Sequence, residues 1–109
     1  MVVFVWATAE FEGVHQWEQA PAEVSYLRYP HRHLFKVKVG VSVSSVKDRE
    51  IEFITLKHRI QSFMSEIKVE SCEQIAKQIL SYLRKLYPNR QYFVEVSEDG
   101  ENGVLVKEK

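Results

Sequence analysis

The sequence is poor in cysteine, and it has neither an excess of one charge nor a long apolar run. Cys72 is the only cysteine among 109 residues, so no internal disulfide can form and we expect a reducing compartment, the cytoplasm. Basic and acidic residues balance at 15 each, which argues against a nucleic-acid-binding protein that depends on a broad positive field. No apolar stretch approaches the ~20 residues that span a bilayer, so we expect no membrane partner.

The length and composition are those of a single globular domain, residues 1–109. The chain is 45% hydrophobic and 28% charged, an ordinary balance for a folded domain. A chain this short buries only a modest core and gains stability from self-association. Residues 1–6 are apolar without a basic leader, so we interpret them as part of a strand and not as a signal peptide.

The first half of the sequence predicts two strands joined by a loop. Residues 1–17 alternate as one long strand, in which Gly13 is interpreted as a bulge. Residues 18–30 are predicted to form the loop, and residues 31–46 the second strand. Within a strand, side chains two residues apart face the same way.

The second half predicts two helices after a polar break at residues 47–50. Apolar residues recur at helical spacing over residues 53–65. The second helix is predicted to begin at Ser71, with Gln74 completing a capping box, and to end before Pro88.

Two short strands are predicted to complete the chain, at residues 91–96 and 104–106. Asp99–Gly100 and Asn102–Gly103 are both turn signals between them. The order ββααββ predicts an α+β domain whose two helices cover one face of an antiparallel sheet. A short sheet with exposed edges is a good candidate for closing a barrel with copies of itself.

Three histidines carry the clearest chemical signal. His31 and His33 open the second strand, so both imidazoles face one way and Arg32 faces the other. His15 lies near the end of the first strand, and pairing of the two strands would bring the three rings together. Three histidine ligands with an open fourth position form a catalytic zinc geometry, although other divalent ions also suit imidazole. The alternative is a set of ordinary surface histidines.

Five motifs, in order, resemble those of the family of 6-pyruvoyltetrahydropterin and 6-carboxytetrahydropterin synthases. Phe11–His15 and His31–His33 are similar to the family's F-x-A-A-H and H-G-H. Ile51–Lys57 is similar to V-x-D-F-x-x-L-K, Glu70–Ala76 to P-T-x-E-N-x-A, and Val94–Glu98 to V-x-V-x-E. The resemblance covers nearly the whole chain.

The resemblance implies the tunnelling fold, in which subunits form trimers around a β-barrel, commonly stacked into hexamers, with active sites between subunits. It implies a Zn²⁺ ion held by His15, His31 and His33. It also implies a small-molecule pterin or purine-like substrate, which is dihydroneopterin triphosphate in the parent reaction. The residues that would bind the ring are Glu98 as its anchor, with Ser71 and Glu73 beside it.

The sequence departs from the family pattern at the acid–base groups. The cysteine that precedes H-G-H is absent from Leu27–His33, and the family's D-H-x-x-L-N segment is absent from Ser65–Val69, which joins the helices. The general base is therefore unassigned. The candidates are Glu18, Glu23, Tyr26 and Tyr29 in the loop, and Cys72, whose pKa the helix N-terminus could lower.

Several of these side chains also have ordinary structural interpretations. Cys72 suits a small packed residue, Glu98 suits a solvated turn residue, and Tyr26 and Tyr29 suit packing of the loop onto the sheet. His58 is expected on the polar face of the first helix, without a role. Arg28 and Arg32 could meet a triphosphate or lie on a solvated edge.

Two functions therefore stay open from the sequence. The first is a zinc-dependent carbon–oxygen lyase of the pterin or deazaguanine (queuosine) precursor pathway, with a replaced base. The second is a non-catalytic homologue that binds a pterin, a purine or a protein partner. A third possibility, a different zinc reaction on a related heterocycle such as hydrolysis, has no sequence feature that tests it.

Overall fold

Four antiparallel strands and two α-helices follow the predicted order ββααββ. The computed structural model describes residues 1–46 and 49–109. The elements are β1 (Val3–His15), β2 (His31–Val43), α1 (Phe53–Phe63), α2 (Cys72–Leu86), β3 (Tyr92–Glu98) and β4 (Asn102–Glu108). Short 3-10 segments are Ala22–Arg28, within the predicted loop, and Met64–Glu66, which follows α1 directly. The architecture is a small α+β domain. A polar break is predicted at residues 47–50, and two of its residues, Lys47 and Asp48, lie outside the described residues.

The strands lie side by side in the order β1-β2-β3-β4. The pairing of β1 with β2 runs without interruption from Val3 opposite Val43 to His15 opposite His31. The bulge predicted at Gly13 is therefore wrong, because this residue sits in regular register opposite His33.

The absence of a side chain at Gly13 has a different explanation. The segment between the two helices approaches this residue closely. A Cβ atom at this position would lie 2.9 Å from Cγ1 of Val69 and 3.1 Å from Cε2 of Phe35. Such contacts are tighter than carbon atoms normally allow. The missing side chain thus lets the segment that carries Val69 lie directly on the end of the sheet.

One face of the sheet carries the core, and both helices pack against that face. Helix α1 lies mainly on β1, and α2 lies on β3 and β4. Alternate strand residues and the apolar stripes of the helices meet in one buried cluster. Its fully buried large members are Phe35, Val37, Val39, Val41, Leu56, Ile60, Ile75, Ile79, Leu83, Val94 and Val96.

Side chains cap the first turn of both helices. Ser71 Oγ accepts a hydrogen bond from the Gln74 amide at 3.2 Å, which confirms the predicted start of α2. Helix α1 begins after Glu52, whose carboxylate accepts hydrogen bonds from the amides of Ile54 and Thr55. These bonds lower the pKa of Glu52, and the bond from Ile54 has the largest effect.

The turn between β3 and β4 uses only one of the two predicted turn signals. Asp99 and Gly100 have φ angles of 59° and 77°, and the Glu101 amide donates to the Glu98 carbonyl at 3.1 Å. Positive φ at both central residues is the type I′ turn that suits the twist of a hairpin. The turn predicted at Asn102–Gly103 is wrong, because these residues open β4 and pair with β3.

Side chains of α1 cover the middle of the outer edge of β1. Gln61 Nε2 donates to the Glu10 carbonyl at 3.0 Å, and Gln61 Oε1 accepts from the Glu10 amide at 3.3 Å. Lys57 Nζ donates to the Thr8 carbonyl at 2.6 Å. The amide side chain of Gln61 therefore bonds this edge much as a neighbouring strand would.

The face of the sheet away from the helices is partly apolar, as predicted. Trp6 and Leu105 are about half exposed there, and the Lys38 ammonium lies 4.1 Å from the centre of the Trp6 ring. None of the helices among the described residues has both the length and the apolar character needed to cross a membrane.

Candidate metal centre

The three predicted histidines meet at one end of the sheet. His15 lies opposite His31 in the β1–β2 register, and His33 lies two residues along β2 on the same face. The ring centroids are 4.5 Å apart for His15 and His31, 5.3 Å for His15 and His33, and 5.0 Å for His31 and His33. The structure brings these rings together as pairing of the two strands predicts, and the binding of a metal stays a prediction.

Each imidazole is held through its Nδ1 atom by an oxygen acceptor. His15 Nδ1 lies 2.8 Å from the Glu70 carbonyl, His31 Nδ1 lies 2.8 Å from the Tyr29 carbonyl, and His33 Nδ1 lies 2.7 Å from Asp99 Oδ2. These oxygens accept, so each Nδ1 carries the hydrogen and donates it. Nε2 is then the nitrogen with a free lone pair, as in metal-bound histidines whose other nitrogen is oriented by a carbonyl or carboxylate.

Glu98 completes a group of four possible ligands. Its Oε2 atom lies 2.9 Å from His15 Nε2 and 3.5 Å from His33 Nε2. One ring nitrogen from each histidine and one carboxylate oxygen from Glu98 all lie within 4.8 Å of one another. Glu98 reaches this group because it pairs with Phe35 at the end of β3, two residues from His33 along β2.

Two donor atoms of this group are buried without hydrogen bonds. Among the described residues, Nε2 of His15 and Nε2 of His33 have no hydrogen-bond partner and almost no contact with solvent. Although Glu98 Oε2 is close, it lies outside hydrogen-bond geometry. Lone pairs on two such neighbours repel unless a proton or a cation lies between them. Three imidazole nitrogens and one carboxylate oxygen therefore fit a divalent ion such as zinc.

Asp99 is a part of the centre that sequence reasoning missed. Its Oδ2 atom accepts from His33, and its Oδ1 atom accepts from the Leu34 amide at 2.9 Å. The bond from His33, with that from Leu34, lowers the pKa of Asp99. The sequence assigned this residue only to a turn, and its position directly after Glu98 was the available signal.

A cleft of about 900 Å³ opens beside the histidines. Its lining contains His15, His31 and Glu98, together with Ser71, Cys72 and Glu73 from the start of α2. Apolar side chains form much of the remaining wall, namely Val14, Trp17, Leu27, Pro30, Val69 and Val104. The structure thus gathers all three predicted substrate-binding residues, Ser71, Glu73 and Glu98, at one cleft next to the candidate metal centre.

Cys72 lines this cleft, but its environment does not favour a thiolate. Burial, followed by the charges of Glu98 and Glu73, raises the pKa of Cys72 to about 11. The expectation that the N-terminus of α2 lowers this pKa is therefore wrong, because loss of hydration outweighs the helix dipole. At neutral pH the side chain is a protonated thiol.

The loop candidates for a general base lie away from the cleft. Glu18, Glu23, Tyr26 and Tyr29 are exposed, and none of their side chains belongs to the cleft lining. The expectation that the two tyrosines pack onto the sheet is wrong, since Tyr26 is 69% and Tyr29 71% exposed. Tyr29 contributes its main-chain carbonyl to His31 instead.

The two arginines proposed for phosphate are bonded elsewhere. Arg28 Nε donates to the Ala20 carbonyl at 2.8 Å. Arg32 forms an ion pair with Glu12 on the face of the sheet opposite the histidines, where its position in β2 places it. Within one chain neither guanidinium lines the cleft. His58 is exposed on α1, as expected.

Replacing Gly13 with alanine is expected to loosen the candidate metal centre. The new Cβ would press on Val69 at 2.9 Å and displace the neighbouring Glu70 carbonyl from His15 Nδ1. Loss of such an orienting contact typically lowers metal affinity about 10- to 100-fold. Competition against a chromophoric chelator measures the zinc affinity.

Gly40→Ala is the matched control for this substitution. Gly40 lies far along β2, where an added Cβ meets the Phe93 ring and not the histidines. We expect this variant to lose stability while keeping its zinc affinity. Equal zinc affinity in Gly13→Ala and the unchanged protein would contradict the role given to the Val69–Glu70 segment.

Comparison of the chain with protein-family models and with curated proteins gives no match. The chemistry assigned to this protein therefore rests on the four converging side chains and on the cleft beside them.

Proposed function

We propose that this protein is a zinc-dependent lyase of the 6-pyruvoyltetrahydropterin and 6-carboxytetrahydropterin synthase type, acting on dihydroneopterin triphosphate or a related pterin. The observation that carries the proposal is the convergence of His15, His31 and His33, each with its Nδ1 held by an oxygen acceptor. Three histidines at one ion are the ligand set of catalytic zinc. The motifs that resemble this family contain the same three histidines.

Different residues of this chain would have different roles at such a site. The three imidazoles would hold the ion, and Asp99 fixes the orientation of His33. A bound zinc ion supplies Lewis acidity toward oxygen atoms of the substrate. The ordered Nδ1 contacts reduce the rearrangement that binding would need.

The cleft beside the histidines suits a flat, nitrogen-rich ring. Its apolar wall, which includes Trp17 and Leu27, can cover the faces of such a ring. Ser71, Glu73 and Glu98 offer oxygen acceptors for the ring N–H and amino groups. This combination supports a pterin or a purine-like compound as the ligand.

The charge of the cleft favours a pterin without phosphate groups. The charged side chains in its lining are the carboxylates of Glu70, Glu73 and Glu98, and its described lining residues include no lysine or arginine. Carboxylates repel a triphosphate, whereas phosphate sites are normally built from cations and amide groups. The lining of one chain therefore favours binding of a neutral pterin over binding of its triphosphate.

A second candidate function is a non-catalytic homologue that binds a pterin, a purine or a protein partner. The protonated state of Cys72 favours it, as does the exposure of Glu23 and Tyr29 outside the cleft. Neither candidate function assigns the role of general base to Cys72, Glu23 or Tyr29.

Self-association belongs to the same proposal. The resemblance implies a trimer or hexamer of the tunnelling fold, with a barrel formed by the sheets and sites between subunits, and the single cysteine favours a cytoplasmic location. The half-exposed Trp6 and Leu105 on the uncovered face of the sheet support burial against other copies. Light scattering coupled to gel filtration measures the assembly directly.

Zinc-loaded protein incubated with neutral dihydroneopterin and with its triphosphate tests the proposed function. We expect zinc-dependent conversion of the triphosphate, whose triphosphate group can leave when a carbon–oxygen bond breaks, and about tenfold or more tighter binding of the neutral compound because the lining is acidic. Chromatography of the products and isothermal titration calorimetry give the two readouts, with metal-free protein as the control.

The outcomes separate the two candidate functions. Binding without conversion would support the non-catalytic homologue. Conversion of the triphosphate would support the lyase, and tighter binding of the triphosphate than of the neutral compound would contradict the preference drawn from the acidic lining. Absence of both binding and conversion would overturn both candidates.

A further inference from the structure

We infer that Glu98 is a fourth ligand of the metal and occupies the position that the three histidines leave open. This inference rests on the proposed metal centre and adds to it. The resemblance gives Glu98 another role, as an anchor for the substrate ring. The structure instead directs one of its carboxylate oxygens at the imidazoles.

The spacing of the atoms is that of two ligands on one ion. Zinc bonds of about 2.0–2.1 Å in a tetrahedral site place neighbouring ligand atoms about 3.3 Å apart. Glu98 Oε2 lies 2.9 Å from His15 Nε2 and 3.5 Å from His33 Nε2. These two distances lie on either side of the tetrahedral value, so the carboxylate already stands at ligand spacing from two of the three rings.

The backbone next to Glu98 is fastened to the strand that carries His33. The Asp99 amide donates to the Leu34 carbonyl at 2.7 Å, while the Asp99 carboxylate accepts from the Leu34 amide and from His33 Nδ1. Asp99 therefore fixes both the ring of His33 and the chain position of Glu98. A ligand pair held by one shared residue is preorganised for a metal.

Among the described residues, no lysine or arginine lies within ion-pair distance of Glu98. Its ion-pair partners in this part of the chain are His15 and His33, and Nε2 of neither ring forms a hydrogen bond. Its side chain is only 31% exposed, so water balances the charge incompletely. A divalent ion shared with the imidazoles would balance it.

Ligation by Glu98 changes how a substrate enters the site. Glu98 also lines the cleft, as His15 and His31 do, so its carboxylate faces both the cleft and the imidazoles. A molecule that binds the metal from the cleft must displace this oxygen. The site would then be closed before the substrate binds and open during turnover.

Zinc affinity of Glu98→Gln, measured by competition with a chromophoric chelator, tests the inference. We expect a loss of at least about tenfold, because even orienting partners of a ligand contribute 10- to 100-fold. The cobalt-substituted variant is expected to show a changed visible spectrum, since a carboxylate ligand is lost. At saturating cobalt, azide is expected to bind the variant more tightly, because no carboxylate competes for the open position.

Glu101→Gln is the matched control. It removes the same charge from an exposed side chain that lies three residues after Glu98 in the sequence. It is expected to keep the zinc affinity, the cobalt spectrum and the azide affinity of the unchanged protein. Glu98→Asp, which keeps the charge and shortens the reach, is expected to weaken zinc binding and is the fallback if Glu98→Gln does not fold.

Unchanged zinc affinity and cobalt spectrum in the folded Glu98 variants would overturn the inference. If His33→Ala still loses the metal in the same assay, only the role of Glu98 fails and the proposed function stands. If His33→Ala also keeps the metal, the proposed metal centre fails as well.

Discussion

Replacing His33 with alanine is expected to abolish tight metal binding. The substitution removes one of three converging imidazoles and leaves the Asp99 carboxylate without the hydrogen bond from His33 Nδ1. Loss of a ligand costs more affinity than loss of an orienting partner, which alone contributes about 10- to 100-fold, so we expect an affinity loss of at least about 100-fold. Elemental analysis of purified protein should show about one equivalent of metal per chain in the parent and almost none in the variant.

His58→Ala is the control for this experiment, because His58 is an exposed histidine of α1 outside the cluster. It should retain the metal of the unchanged protein. Retention of a full equivalent and of the zinc affinity by His33→Ala would show that His33 is not a ligand of the ion. Circular dichroism of both variants separates loss of the metal from loss of the fold.

Replacing Phe35 with alanine is expected to give the largest loss of stability in the chain, about 3–5 kcal/mol of the free energy of unfolding. Phe35 is fully buried and stacks on Phe11 with centroids 5.1 Å apart. Its ring also meets His15 edge-on at 5.3 Å and His33 at 5.9 Å. The substitution leaves a cavity directly beneath the imidazoles.

Urea denaturation with a chelator present measures this loss without a contribution from bound metal. Phe53→Ala is the control, because Phe53 is 59% exposed at the start of α1 and its truncation is expected to cost under about 0.5 kcal/mol. A similar free energy of unfolding for both variants would contradict the place given to Phe35 in the core.

The alternation of side chains along the strands made it possible to predict from the sequence that the three histidine rings meet. It put His31 and His33 on one face and Arg32 on the other, and pairing with β1 then brought His15 opposite His31. Successive side chains of a strand point to opposite faces of the sheet, so the spacing between two residues is enough to tell whether they share a face. The meeting of three rings could therefore be predicted, whereas the approach of Glu98 depended on the register of β3, which no local pattern reveals.

The failures came from signals whose meaning depends on tertiary contacts. Gly13 is compatible with a bulge or with close packing, and only the position of Val69 decides between them. Two turn signals stood in a row after β3, and the hairpin used Asp99–Gly100. The pKa of Cys72 was misjudged because the depth of burial outweighs its place at a helix end.

The bonds that Gln61 and Lys57 make with β1 set the direction in which this sheet can grow. The main-chain groups of Glu10 and the carbonyl of Thr8 are already satisfied by α1, so a strand from another molecule gains no hydrogen bonds there. At the opposite margin, β4 pairs with β3 alone among the described strands. Lateral extension into a neighbouring molecule is therefore steered toward β4 and the ends of β1, and intermolecular ladders that form along the centre of β1 require α1 to release it first.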